Sequence, residues 1–238
     1  MPKKLLYVAA VAGLLAIALA LSWGCGGGAD ENTAELEQLL SRMALTPDDF
    51  PLGLQQASAT YSTNEDVADG FADAEAALQR LESLGRRLGH DVQLVPGPEA
   101  PAGMVIRGIE VTVSIYETPE GASQSFEDGA NDARATDWER LYSNLTELDV
   151  QERPTDELGD QAIWFRVSGI DDHDRLSVDD QVARRVGPVR GFLRVATLFG
   201  QGVDRDIFIP QVSGWTQTLA ERIQTSLADD AVTAGTAS

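Results

Sequence analysis

The run from Leu5 to Leu21 carries no charge, and it is followed by Ser22-Trp23-Gly24-Cys25 and three more glycines. Lys3 and Lys4 stand before it and are the only lysines in the chain. A basic end, an apolar middle and a small-residue exit make an export signal, so this stretch is withdrawn from the globular fold. Cys25 is also the sole cysteine. No intrachain disulfide can form, and the exported part must hold together by burial and hydrogen bonding alone. From Cys25 to Ser238 there are 214 residues. A single domain of that size buries roughly 70 per cent of its unfolded surface, which suffices without a staple.

Three readings of the signal differ in what stays attached. The first twenty-five residues resemble the signal of bacterial lipoproteins, in which cleavage falls just before a cysteine that receives lipid. Cys25, with Gly24 in front and Gly26 to Gly28 behind, fits that exit. The second reading is an uncleaved anchor, because a helix of about 20 residues spans a ~30 Å bilayer core, with Trp23 in the interfacial belt. The third is secretion with cleavage after Ala18-Leu19-Ala20. The first is adopted: residues 1–24 are the signal peptide, Cys25 is the lipidation site, and residues 25–33 form a Gly-rich tether. All three place the globular part outside, since positive charge stays on the cytoplasmic side.

Without the signal the chain keeps 16 arginines against 38 acidic residues, a net charge of −22. Such a field repels nucleic acid and anionic headgroups, so no nucleic-acid partner is expected. The expected contacts are the membrane, through lipid on Cys25, and a small-molecule or envelope-protein ligand.

Along the chain, residues 34–43 read as a helix with Leu36, Leu39, Leu40 and Met43 on one stripe. Pro47, Pro51 and Gly53 break it into a turn that leads to a strand over 54–61. Asn64 is read as the cap of a long helix carrying Val67, Phe71, Ala74, Leu78, Leu81 and Leu88, closed by Gly85 and Gly89. A short strand over 90–95 precedes the proline-rich 96–101. Residues 105–117 alternate, with Ile109, Val111, Val113 and Ile115 on one side, and predict a half-buried strand. Thr118 and Pro119 open a further helix with a break near Asp137. Strands are predicted over 148–152, 162–168, 181–186 and 189–199, the last two joined by a tight turn at Gly187-Pro188. The final helix covers about 207–227, with Val212, Trp215, Leu219 and Ile223 on one stripe. Residues 229–238 have the composition of a disordered tail.

This order predicts a single α+β domain over 34–228, a mainly antiparallel sheet with helices packed on one face. A helix-then-strands outline occurs twice, over 64–116 and 118–199, and suggests an internal duplication. Leu158-Gly-Asp-Gln-Ala162, Arg185-Val-Gly-Pro-Val-Arg-Gly191, Leu219-Ala-Glu-Arg-Ile223 and Ile115-Tyr-Glu-Thr-Pro-Glu-Gly-Ala122 resemble the closing half of small bacterial surface lipoproteins and extracellular sensor-type domains. The resemblance implies a non-enzymatic envelope module of α+β fold and transfers no binding residue.

The inventory of chemistry is thin. There is no Gly-x-Ser-x-Gly elbow and no lysine beyond the signal for a phosphate loop or Schiff base. His90 and His173 lack metal-ligand spacing. Asp171 to Asp180 offers six potential ligands in ten residues, but without the spacing of an EF-hand and with Arg175 among them. It is read as an exposed, mobile hairpin connection with no metal. No cofactor is expected. Three function classes follow: a non-catalytic binding or sensing module, a structural or assembly lipoprotein without a ligand pocket, and, last, a carboxylate-based hydrolase. Mass spectrometry of the native N-terminal peptide is expected to find Cys25 as the first residue, carrying lipid; an unmodified Cys25 inside a peptide beginning at Leu21 refutes that assignment.

Overall fold

The computed structural model describes residues 31–50, 53–155, 159–206 and 208–236. The stretch expected to be a signal peptide, and Cys25, expected to carry lipid, lie outside the described residues. The chain begins with helix α1 (Glu31–Met43), whose first residues were read as part of the tether, and a single 3-10 turn at Pro47–Asp49. Strand β1 (Leu54–Ser62) follows. Two short helices, α2 (Asn64–Ala68) and α3 (Ala74–Ser83), lead to β2 (Arg86–Pro96) and β3 (Ile106–Tyr116). Next come α4 (Pro119–Ala135), α5 (Trp138–Leu141), β4 (Thr146–Arg153), β5 (Gln161–Ile170), β6 (Leu176–Val186), β7 (Val189–Phe199) and α6 (Ile209–Thr236).

All seven strands form one antiparallel sheet in the order β1-β2-β3-β7-β6-β5-β4. The α+β class and the antiparallel sheet are those the sequence predicts. Helices, however, cover both faces. The main core lies between α1, α6 and one face, where Leu40, Met43, Val212, Leu219 and Ile223 meet Val111, Val113, Val182, Leu193 and Val195. On the other face Phe126, Ala130 and Ala133 of α4 pack on Ile163, Phe165, Ala183 and Phe192. The reason is local: Ile163-Trp164-Phe165 and Phe192-Leu193 bury successive residues, which point to opposite sides of a strand, so each side needs a cover.

The suggested repeat exists as topology, with different bounds. The strand order reads alike from either edge with β7 at its centre, and antiparallel pairing gives β1 and β4, β2 and β5, β3 and β6 the same directions. A half-turn about β7 exchanges the faces and carries α1-β1-β2-β3 onto α4-β4-β5-β6. The first unit thus begins at α1 rather than at Asn64.

The long helix expected over Asn64 to Leu88 is instead two short ones and the start of a strand. Thr63, one place earlier than expected, is the cap: its hydroxyl accepts from the Asp66 amide at 3.2 Å while the Asp66 carboxylate accepts from the Thr63 amide at 2.9 Å. Gly85 adopts φ 67°, a left-handed conformation that ends α3. Leu88 therefore continues the apolar spacing by coincidence and sits in β2 opposite Ile115. Ala68 is the only buried residue of α2, and α3 has none. Leu78 and Leu81 are half-buried, outside the sheet core expected for them. The other helix signals hold: Thr118 accepts from the Gly121 amide, Pro119 opens α4, and the break falls at Thr136-Asp137, where Asp137 caps α5.

Two further differences concern polar stretches. The tail composition from residue 229 does not interrupt α6, which continues to Thr236. The acidic stretch Asp171–Asp180 is a tight connection only as far as Arg175, since Ile170 already pairs with Leu176, and its second half is β6. Aromatic contacts secure the base of α6: Trp215 lies 4.9 Å from Phe50 and 5.4 Å from Phe208. Arg222 reaches the Ala44 carbonyl at 2.9 Å and Asp49. Truncating fully buried Leu219 to Ala is expected to lower unfolding free energy by about 2 to 5 kcal/mol, and Leu81→Ala by about 1 kcal/mol or less, in urea denaturation of the same chain.

Candidate functional site

Asp179 and Asp180 are neighbours in β6, and alternation sends their side chains to opposite faces. Asp180, fully buried on the α1/α6 face, accepts two hydrogen bonds from the Arg166 guanidinium at 3.0 Å and one from the Trp164 indole at 2.8 Å. Burial pushes its carboxyl up to about 6 against these partners. Asp179, on the α4 face, takes a bidentate contact from Arg194 at 2.7 to 3.0 Å and the Tyr142 hydroxyl at 2.5 Å. Burial, then Asp179, raises the Tyr142 phenol. For Arg194 burial opposes the charge, but Asp179 outweighs it and the guanidinium is held more firmly protonated than usual. The Gln181 amide donates to the Tyr142 oxygen at 3.2 Å.

Arg194 pairs in register with Glu110 of β3, and the next pair on the same face, toward the end of the strands, is Ala196 with Gly108. Two small residues beside two charged ones leave a depression of about 230 Å³, lined also by Gln93, Val95 and Arg107. The helices α2, α3 and α4 pack toward the opposite end of this face. Glu110 stands at the floor with its side chain 15 per cent exposed and 3.9 Å from Arg194. Because Arg194 is committed to Asp179, it compensates Glu110 only in part: burial pushes the carboxyl up to about 7, with Asp91 and Asp179 adding to the rise. Asp91 is itself occupied, accepting from Thr112 at 2.7 Å and Ser62 at 2.9 Å. The arrangement is a small concavity with an apolar rim, at whose floor one under-compensated carboxyl both donates and accepts hydrogen bonds near neutral pH.

The residues singled out in the sequence lie elsewhere or do something different. His90 is buried and stacks on Tyr61 at 4.5 Å, and burial lowers its pKa, so the ring is neutral. His173 is exposed in the β5–β6 connection, about which Asp171, Asp172 and His173 each bring one ligand atom within 4.8 Å of the others. The Asp171 oxygens are already spent on the His173 and Arg175 amides and the Arg175 side chain. Those bonds, the Arg175 side chain first, hold the Asp171 carboxyl down at about 2. Curvature for which no glycine is available comes from Asp174 at φ 58°. Asp179 and Asp180 do not belong to this loop.

Glu110, Arg194, Tyr142 and Asp91 carry no motif, and sequence reading missed them. The available signal was charge inside apolar alternation, as in Val178-Asp-Asp-Gln-Val182 and Phe192-Leu-Arg-Val195. The same signal marks Arg184, fully enclosed opposite Gly191 and under Leu219 and Ile223, with no hydrogen-bond partner for its guanidinium among the described residues. Burial lowers it to about 10.

No family model and no curated protein matches this chain. Its structure has a weak resemblance to the extracellular domain of PknH from Mycobacterium tuberculosis, with a TM-score of 0.46 and 9% identity over 78% of this chain and 96% of that chain. No helix among the described residues is long and apolar enough to cross a membrane.

Glu110 makes stability fall with pH. Its carboxyl is at about 7 in the fold against 4.5 as its ordinary value, so the folded state holds the proton more tightly. Its stabilising contribution is whole below 4.5 and is lost as pH rises through 7. Urea unfolding across that window is expected to show a slope that Glu110→Gln reduces, the difference reaching on the order of 3 kcal/mol at most; equal slopes in the two proteins refute the assignment.

Proposed function

We propose that this chain is a non-catalytic extracytoplasmic binding module, tethered by lipid on Cys25, whose ligand is a small polar molecule held over β2, β3 and β7. The observation that carries the reading is the concavity at Gly108 and Ala196 beside partly desolvated Glu110. A buried polar group of this kind gains from a partner that replaces lost water. Glu110, Arg194 and Gln93 in its lining offer a ligand charged and hydrogen-bonding partners. Commitment of Asp91 and Asp179 to hydroxyls and to Arg194 argues against a pair of free carboxylates at work on a substrate.

The continuous apolar cluster between α1, α6 and the sheet suits the second reading, an envelope lipoprotein of structural or assembly role. The two separate in a thermal-shift series with free amino acids, amino sugars and polyols as probes. Binding predicts a rise in melting temperature with one of these classes that disappears in Ala196→Leu, which fills the concavity without altering a charge. No shift with any class, or a shift that survives Ala196→Leu, refutes the proposed site.

A further inference from the structure

Of the seven strands, β1 alone contains no Asp, Glu or Arg: it reads Leu-Gln-Gln-Ala-Ser-Ala-Thr-Tyr-Ser. It is also an edge strand, paired only with β2 among the described strands, and Gln55, Gln56, Ala57, Ala59, Thr60 and Tyr61 are exposed. The other edge, β4, is built differently. It carries Glu147, Asp149, Glu152 and Arg153, and Arg134 of α4 reaches across to Glu152 at 2.7 Å. Charges on an edge strand prevent another strand from adding to it, and a bare edge presents unpaired amide and carbonyl groups as a template. In a chain of net charge −20, a nine-residue edge without any charge is the place where a second equally acidic molecule meets least repulsion.

We propose that β1 pairs antiparallel with β1 of a second copy of this chain. The register follows from the strand itself. A bulge between Gln56 and Ser58 divides the ladder and leaves Ser58–Ser62 as its longer regular run. With Thr60 on the twofold axis, Thr60 faces Thr60, Ser58 faces Ser62, and exposed Tyr61 covers Ala59. A Thr–Thr pair exchanges hydrogen bonds, and a large aromatic over a small residue packs without a clash. Beside Tyr61, a depression of about 380 Å³ bordered by Glu37, Gln38, Ser41 and Arg42 of α1 receives side chains from the incoming strand.

The axis of such a pair is perpendicular to the sheet, so the faces are preserved. Helix α1, from which the chain leads back to Cys25, lies on the same side in both copies, and both tethers enter one membrane. The seam is short, and confinement to a membrane supplies the effective concentration that a small interface lacks.

The test uses the full chain in nanodiscs holding two or more copies and in detergent at rising protein concentration. Dimers are expected by mass photometry, with slowed hydrogen exchange in β1 as they form. Thr60→Lys sets like charges face to face on the axis and is expected to give monomers with an unchanged melting temperature. Thr60→Cys is expected to give a disulfide between the two copies at residue 60 by peptide mass spectrometry, and Thr146→Cys on the β4 edge none at residue 146. A wild-type chain that stays monomeric in both media, or dimers that survive Thr60→Lys, overturns the proposal. Slowed exchange in β1 that appears only with a different, extended peptide also overturns it.

Discussion

Two adjacent carboxylates in the middle of β6 fix how the two faces of this sheet are used. Asp180 lies in the main core with Arg166, and Asp179 on the opposite face with Arg194. Asp180 and Arg166 are both desolvated, and such a pair contributes less to net stability than to the choice of arrangement; removing one partner strands the other at about 3 to 5 kcal/mol. Arg194 keeps partial contact with solvent while Asp179 is buried. A one-residue slip of β6 moves each aspartate to the other face and leaves one of the two arginines with Val178 or Gln181 in place of its carboxylate. Register in the centre of the sheet is therefore set by charge as well as by apolar pattern, and α6 and α4 find their seats on the faces that this register defines.

The candidate site depends on the same pairing. Arg194 stands between Asp179 and Glu110, and its short contacts go to Asp179, leaving Glu110 at 3.9 Å. A carboxyl with a close arginine of its own would stay ionised throughout the neutral range. With that arginine engaged elsewhere, burial dominates, and Glu110 rests near its titration point. The concavity beside it owes its room to Gly108 and Ala196, one ladder step away.

Much of the architecture was legible because its signals are local. Alternation in Val105 to Glu117, the Thr118-Pro119 helix start and the stripe of Val212, Trp215, Leu219 and Ile223 each depend on neighbouring residues, and each appears where it was expected. Failures arose where a signal was ambiguous over a few residues. Leu88 extends a helical spacing and equally begins a strand, and the conformation of Gly85 decides between them. Asp179 and Asp180 were grouped with the loop by composition, although Leu176 and Val178 already alternate with them. The site was illegible for another reason: Gln93, Glu110 and Arg194 come from three strands, and no spacing along the chain shows that they meet.

The route of the chain through the sheet carries a consequence for its biogenesis. After β3 the chain crosses by way of α4 to the far edge, lays down β4, β5 and β6 inward, and inserts β7 last, where Val111 pairs with Leu193. Synthesised or threaded through a membrane from its N-terminus, the three-stranded first half emerges with the inner edge of β3, rich in valine and isoleucine, lacking its neighbour until nearly the whole protein has appeared. That interval exposes an edge which β7 covers in the finished sheet. Protection of nascent β3, by a holding chaperone or by rapid passage of the second half, is a requirement of this topology that the mature molecule no longer displays.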